Sequence, residues 1–190
     1  MMSQKEKFIK IISDPNKLTL FRIVASPVII VFMLFPNTFC TFMAALVFSI
    51  AAATDYFDGF LARRNGLVSN LGKAMDPLAD KLLISSPLIM MTSYGWVPAW
   101  MVCVIIGREI AVTGLRSVLA GKGEDISASN LGKYKTGFQI AAIIPLLLHS
   151  PYFGINMHAI GTFLIWCALV FTLWSGYDYF KRFKMLFMNE

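Results

Sequence analysis

The sequence is poor in charge, cysteine and histidine. Only 15% of its 190 residues are charged, whereas 57% are hydrophobic and the mean hydropathy is +0.65. Three cysteines occur without a CxxC spacing or histidines at metal-ligand distance, so packing is their expected role. The chain shows no internal repeat and no low-complexity tract, and no nucleic-acid partner is expected. Since ordinary soluble domains are less apolar, the composition predicts an integral membrane protein.

Apolar runs long enough to cross a bilayer occur six times. A hydrocarbon core about 30 Å thick needs roughly 20 helical residues, so six spans leave no room for a soluble domain. We predict one all-α transmembrane domain over 1–190, with an interfacial amphipathic segment over 1–15. The sixth span, rich in phenylalanine, leucine and tryptophan, is predicted to be scaffold or a wall against lipid. The six spans cover about 17–35, 40–62, 74–93, 97–120, 136–150 and 155–179.

Basic residues are distributed on one side of these spans. Lysine and arginine number 17 against 11 acidic residues, and they concentrate at both termini and in the connections 63–73 and 121–135. The other three connections carry no charge. The positive-inside rule therefore predicts that both termini and the two basic connections face the cytoplasm.

Four aspartates, Asp55, Asp58, Asp76 and Asp80, lie at the cytosolic ends of spans two and three. An acidic residue at the bilayer centre costs on the order of 3 kcal/mol, so four together need compensation. Positions three or four apart share a helix face, which predicts two facing pairs. Carboxylates without cysteine or histidine suit Mg²⁺ or Mn²⁺ rather than zinc. Two such ions would support an in-line phosphoryl displacement.

A second set of charges lies on spans four and five. Arg108 and Arg116 are separated by two helical turns, about 12 Å, and can face the same way. Glu109 points about 100° away from Arg108 and is not expected to be its partner, so an acid on another helix or a bound anion must compensate that guanidinium. Lys133 and Lys135 would either anchor a cytosolic connection or bind an anion.

Polar residues also occur where substrate could approach the aspartates. Span one carries a stripe of Asn16, Thr19 and Arg22, three residues apart each time. Arg22 could simply extend to the interface, so contact with substrate is one of two interpretations. Gly59 either admits a ligand or serves helix packing. Arg63 could bind a phosphate through both guanidinium nitrogens.

Taken together, these residues resemble a known signature. The pattern D-x₂-D-G-x₂-A-R-x₈-G-x₃-D-x₃-D of CDP-alcohol phosphatidyltransferases is matched at every fixed position. The segments NKLTLFR, IIGREIAVTGLR and LGKYKT also look like those of a bacterial subfamily, the phosphatidylglycerophosphate synthases. The likeness covers nearly the whole chain. The matching fixed positions are Asp55, Asp58, Gly59, Ala62, Arg63, Gly72, Asp76 and Asp80.

The resemblance implies an activity and a set of site residues. The phosphatidyl group of CDP-diacylglycerol would pass to sn-glycerol 3-phosphate, giving phosphatidylglycerol phosphate and CMP. Asp55 and Asp76 would bridge two Mg²⁺ or Mn²⁺ ions, Asp58 and Asp80 would each hold one, and Asp80 would also act as the base. The residues implied to bind CDP-diacylglycerol are Asn16, Thr19, Gly59, Arg63, Ser69 and Gly72. Those implied to bind the glycerol phosphate are Arg108, Arg116, Lys133 and Lys135.

The resemblance further implies a multi-pass protein of the bacterial inner membrane, with its active site facing the cytoplasm and a homodimeric assembly. Two alternatives stay open. The acceptor could be another phosphorylated alcohol such as inositol phosphate, whereas serine or phosphatidylglycerol would leave Arg108 and Arg116 unexplained. A divalent-cation transporter is the alternative from a different class, although transporters place their acidic residues near the midplane and often show paired halves.

Overall fold

A computed structural model of the chain describes residues 15–65, 70–121, 130–152 and 154–187. Within these ranges the chain forms six α-helices and one two-stranded antiparallel hairpin. In chain order they are α1 (Pro15–Met33), α2 (Thr38–Asn65), α3 (Asn70–Ser93), α4 (Ala99–Gly121), α5 (Asn130–Leu148), β1 (Pro151–Tyr152), β2 (Ile155–Asn156) and α6 (Met157–Phe187).

Each predicted span overlaps one helix, so the predominantly helical fold is confirmed for the described residues, in which the short hairpin is the exception. Several helices continue beyond the apolar runs, as α6 does to Phe187. The backbone hydrogen bonds of a helix are local and do not stop where the side chains become polar. The predicted interfacial segment over 1–15 lies almost entirely outside the described residues.

One segment of the described helices, Met157–Lys181, is long and apolar enough to cross a membrane by length and composition. Three shorter apolar segments lie in α1, α2 and α5, so six crossings stay a prediction. In Met157–Lys181 only 39% of the apolar window is buried, and large side chains such as Phe163 and Trp174 are exposed. An exposed apolar surface of this kind fits lipid better than water.

Contacts divide the chain into two compact units, residues 1–90 and 91–190. In the first, α1 packs on α2 around buried residues that include Ile29 and Phe48. In the second, both α4 and α5 pack on α6. A Cβ at Gly161 would lie 2.6 Å from Leu146 Cγ and 2.9 Å from the Leu146 backbone nitrogen. The α5–α6 contact therefore depends on a residue without a side chain.

Short polar side chains begin two of the helices. Asn37 Oδ1 accepts a hydrogen bond from the backbone N–H of Cys40 at 2.9 Å and caps α2. Asn156 Oδ1 accepts one from Ala159 at 3.1 Å and caps α6 in the same way. Both satisfy an N–H group that has no partner within its own helix.

Hydroxyl groups within the helices bond to their own backbone. Each donates to the carbonyl oxygen one turn earlier, which satisfies the hydroxyl without water and suits an apolar surrounding. This pattern is shown by Ser26, Ser49, Thr54, Ser85, Ser86, Thr113, Ser117, Thr136 and Ser175.

A histidine cluster lies after the end of α5. His149 has a φ of 50° and stacks on Trp96, with ring centroids 4.1 Å apart. The His158 ring meets His149 edge-on at 4.7 Å. Burial, and secondly the charge of His158, lower the pKa of His149. The fold therefore favours the neutral form of this imidazole.

Candidate active site

In the first unit, two aspartates of α3 meet a polar stripe of α1; we call Thr19, Arg22, Asp76 and Asp80 the carboxylate site. Arg22 Nη1 donates to Asp80 Oδ1, and Arg22 Nη2 lies 3.2 Å from Asp76 Oδ1. Thr19 Oγ1 donates to the same Asp76 oxygen. Arg22 is only 2% exposed, whereas the two carboxylates are 38% and 44% exposed. The guanidinium is buried behind two carboxylates that face outward.

Helical spacing explains this arrangement. Thr19 and Arg22 are three residues apart, Asp76 and Asp80 are four apart, and each pair therefore occupies one face of its helix. The shared face predicted for the two aspartates agrees with their common partner. Of the two interpretations of the α1 stripe, extension of Arg22 to the interface does not describe its buried side chain.

The carboxylate site supplies two carboxylates of the kind that a divalent-cation site needs. Asp76 and Asp80 present oxygen donors, the ligands that Mg²⁺ and Mn²⁺ prefer, and a guanidinium already lies between them. Among the side chains that the structure describes, no group of three or more His, Cys, Asp or Glu residues could hold a metal ion. Asp55 and Asp58 lie on α2, but their side chains fall outside that set. The four-aspartate site therefore stays a prediction.

In the second unit, Arg108, Glu109, Arg116, Lys135, Ser175 and Tyr179 form what we call the basic cluster. Lys135 Nζ donates to Glu109 Oε1, and Arg108 Nη1 lies 3.3 Å from the same oxygen. Glu109 is thus the acidic partner of Arg108, which the helical geometry did not predict. The long side chains of neighbouring residues bend toward each other despite the angle between their Cα–Cβ bonds.

Helix α6 supplies two further contacts of the basic cluster. Arg108 Nη2 donates to Ser175 Oγ at 2.9 Å, and Arg116 Nη2 donates to Tyr179 OH at 2.8 Å. Sequence reasoning treated this helix as scaffold or a lipid-facing wall and missed both residues. A signal was present, because two hydroxyl-bearing residues four apart near the cytosolic end of an apolar span share one face.

The basic cluster can bind an anion. Its ionisable side chains carry three positive charges and one negative charge, and Lys135 is 4% exposed. Guanidinium groups match phosphate oxygens in geometry as well as in charge. A phosphate monoester, which carries up to two negative charges, is the ligand class that fits this balance.

The remaining predicted residues are only partly described. Ser69 lies outside the described residues. The others belong to described helices, but the surroundings of their side chains do not belong to the described structure; they are Asn16, Gly59, Arg63, Gly72 and Lys133.

Comparison with protein families decides the relationship. The family model for CDP-alcohol phosphatidyltransferase matches residues 13–174. The chain belongs to the CDP-alcohol phosphatidyltransferase family. This confirms the resemblance seen in the signature, and CDP-alcohol phosphatidyltransferases generally depend on divalent metal ions.

Three bacterial relatives are each named CDP-diacylglycerol–glycerol-3-phosphate 3-phosphatidyltransferase. The Bacillus subtilis protein is 45% identical over 180 residues, covering 88% of this chain and 93% of its own. The Rickettsia felis protein is 40% identical over 174 residues (91% and 96%). The Shigella flexneri serotype 5b protein is 37% identical over 180 residues (93% and 97%). In each comparison the similarity therefore extends over most of this chain and nearly all of the relative.

Proposed function

We propose that this chain transfers the phosphatidyl group of CDP-diacylglycerol to sn-glycerol 3-phosphate, giving phosphatidylglycerol phosphate and CMP. Family membership and the names of full-length relatives support the reaction class. The structural observation that carries the acceptor assignment is the basic cluster, in which Arg108 and Arg116 contact one tyrosine ring. An acceptor without a phosphate would leave this concentration of positive charge without a ligand.

The reaction needs a base for the acceptor hydroxyl. The primary hydroxyl oxygen would attack the β-phosphorus of CDP-diacylglycerol, the bond from that phosphorus to the CMP oxygen would break, and Asp80 would take the hydroxyl proton. Arg22 donates a hydrogen bond to Asp80 Oδ1 and would fix the orientation of this carboxylate for proton transfer. Thr19 and Arg22 orient Asp76 in the same manner.

Asp55, Asp58, Asp76 and Asp80 would hold divalent metal ions, Mg²⁺ or Mn²⁺, as the family signature implies. When bound, the ions would neutralise the pyrophosphate and stabilise CMP as it leaves. Two observations support this assignment. Asp76 and Asp80 present oxygen donors, and both already interact with a positive group, the Arg22 guanidinium.

The other assignments follow the family signature. Lys133 would join the basic cluster at the acceptor phosphate. The residues proposed to line CDP-diacylglycerol are Asn16, Thr19, Gly59, Arg63, Ser69 and Gly72. We place the protein in the bacterial inner membrane as a six-span homodimer, as the family resemblance implies. Both termini and the active site would lie on the cytoplasmic side, as the distribution of basic residues indicates.

An acceptor panel tests the proposal. Purified protein in detergent is supplied with CDP-diacylglycerol, Mg²⁺ or Mn²⁺, and either glycerol 3-phosphate, inositol phosphate or serine. We expect turnover with glycerol 3-phosphate. Turnover with inositol phosphate alone would overturn the acceptor assignment, and metal flux into proteoliposomes without CDP-diacylglycerol would support a transporter instead.

A matched pair of variants on α4 tests the acceptor site. Arg108→Ala is expected to raise the KM for glycerol 3-phosphate while the KM for CDP-diacylglycerol changes little. Ser117→Ala is the control, because its hydroxyl is exposed and bonds to its own helix at Thr113. An equal rise for both substrates in Arg108→Ala would remove Arg108 from the acceptor site.

A further inference from the structure

Tyr179 contacts both arginines of the basic cluster. Its ring centroid lies 5.6 Å from Arg108 Cζ and 5.2 Å from Arg116 Cζ. Its hydroxyl also accepts the hydrogen bond from Arg116 Nη2 at 2.8 Å. The tyrosine is 5% exposed, so these contacts are made in a water-poor setting where cation–π attraction is stronger than at a surface.

We propose that Tyr179 is a positioning residue that holds Arg108 and Arg116 as a preorganised pair for the phosphate of the acceptor. This inference rests on the proposed function, in which the two arginines bind that phosphate. Tyr179 itself need not touch the acceptor, because it acts through the two guanidinium groups.

Both guanidinium carbons lie within 5.6 Å of one ring centroid, and their like charges repel each other. The negative face of one aromatic ring attracts both, and the hydroxyl fixes the orientation of one guanidinium. Long side chains lose considerable rotamer freedom when a ligand immobilises them. Because the ring has already restricted them, the acceptor phosphate meets a site that needs less ordering when it binds.

The same segment of α6 also shapes the position of Arg108. Ser175, one turn before Tyr179 and fully buried, accepts from Arg108 Nη2. Gly176 lies beside the arginine stem, where an added Cβ would come within 3.3 Å of Arg108 Cγ. The residues from Ser175 to Tyr179 thus contact both the charged end and the aliphatic part of Arg108. The hydroxyl of Ser175 and the hydroxyl of Tyr179 each orient one arginine.

A graded series separates the ring from the hydroxyl. Tyr179→Phe keeps the ring and removes the hydrogen bond, whereas Tyr179→Leu removes both. We expect the KM for glycerol 3-phosphate to rise about fivefold in the first and about thirtyfold in the second. The KM for CDP-diacylglycerol should stay within about twofold of the wild type, because the two arginines that Tyr179 contacts are assigned to the acceptor phosphate and not to the lipid substrate.

The control is Tyr177 on the same helix, which is 71% exposed. Tyr177→Phe and Tyr177→Leu are expected to leave both KM values unchanged. Thermal unfolding in detergent is recorded for every variant. Calorimetric titration with glycerol 3-phosphate in the absence of CDP-diacylglycerol should show the same graded loss of affinity as the KM values.

Three results would overturn the inference. They are an unchanged acceptor KM in Tyr179→Leu, an equal rise of both KM values, and a loss of acceptor affinity in Tyr179→Phe as large as that in Tyr179→Leu.

The Arg108→Ala variant distinguishes failure of this inference from failure of the proposed function. If Arg108→Ala leaves the acceptor KM unchanged, the acceptor site itself fails. If Arg108→Ala raises it and the Tyr179 variants do not, only the positioning role fails.

Discussion

Replacement of Arg22 by methionine should destabilise the protein much more without divalent ions than with them. The guanidinium is 2% exposed and lies 3.2 Å from Asp76 Oδ1 while also donating to Asp80. Without it, two carboxylates one turn apart repel each other and lose the positive charge that lies beside both. Divalent ions at the same oxygens would replace the missing positive charge.

The magnitude follows from these distances. A pair of unit charges 3.2 Å apart is worth about 5 kcal/mol at an effective dielectric constant of about 20. The carboxylates are 38% and 44% exposed, so water screens a substantial part of that attraction. Because the carboxylates left behind are partly solvated, we expect Arg22→Met to lower the free energy of unfolding by about 2 kcal/mol in EDTA, less than the roughly 3–5 kcal/mol typical of a fully buried ion pair that loses one partner.

The bound ions should bind more tightly once the neighbouring positive charge is gone. Even with the dielectric constant of water, a unit positive charge about 4 Å from a divalent ion opposes its binding by about 2 kcal/mol, or roughly thirtyfold in affinity. In saturating Mg²⁺ the variant should therefore recover most of the lost stability.

Thermal unfolding in detergent, recorded in EDTA and across a Mg²⁺ titration, measures both effects. Arg22→Lys keeps a positive charge and should show a smaller difference between the two conditions. Ser26→Ala is the matched control, since Ser26 is buried one turn later on α1 and bonds only to the Arg22 carbonyl among the contacts described above. If Arg22→Met loses the same stability in EDTA and in Mg²⁺, Arg22 and the ions do not share these carboxylates.

Three further predictions concern other parts of the chain. Asp80→Asn should reduce transfer by at least about 1,000-fold in the detergent assay while the protein stays folded, because an amide cannot accept the hydroxyl proton. Gly161→Ala should lower the unfolding free energy by about 1–3 kcal/mol, because its Cβ would overlap Leu146. The lowered pKa of His149 means that the unfolded chain binds more protons below about pH 6.5. Stability, measured by thermal unfolding across pH, should therefore rise as the pH increases toward 6.5, stay level above it and lose this dependence in His149→Asn.

Each of these has its own control. Near-normal turnover of Asp80→Asn would exclude it as the base. Gly137→Ala places a Cβ where no atom lies within 4 Å and should leave stability nearly unchanged; an equal loss there would contradict the close-contact explanation for Gly161. Asparagine tolerates the positive φ of His149, so a pH dependence that persists in His149→Asn must come from other groups.

The positions of the helices could be predicted from the sequence better than the contacts between them. Apolar runs are local, so six helices could be placed from composition alone, and the spacing of Asp76 and Asp80 correctly predicted a shared face. That Arg22 meets these aspartates could not be read from spacing, because its partners lie 54 and 58 positions away. Helical periodicity shows which residues face the same way, but not which helix they face.

The basic cluster shows a second limit of pattern reasoning. The angle between successive side chains on a helix argued against contact between Arg108 and Glu109, yet their flexible side chains approach to 3.3 Å. Tyr179 was overlooked because aromatic residues in an apolar span are commonly assigned to lipid. Its buried environment, which distinguishes it from the exposed Tyr177, becomes visible only when α4 and α6 are packed together.

The pairing of Arg22 with Asp76 and Asp80 has a consequence for biogenesis. Ribosomes synthesise α1 before α3, so in the proposed topology the first helix enters the membrane while its partner aspartates are still unmade. An arginine at the centre of an inserting helix costs about 2.5–3.5 kcal/mol, and less near the interface, where its side chain can extend to water. Arg22 would thus begin in contact with water or lipid headgroups and turn inward only when α3 arrives. Assembly of the carboxylate site would then be a late event that draws the first helix into its final place.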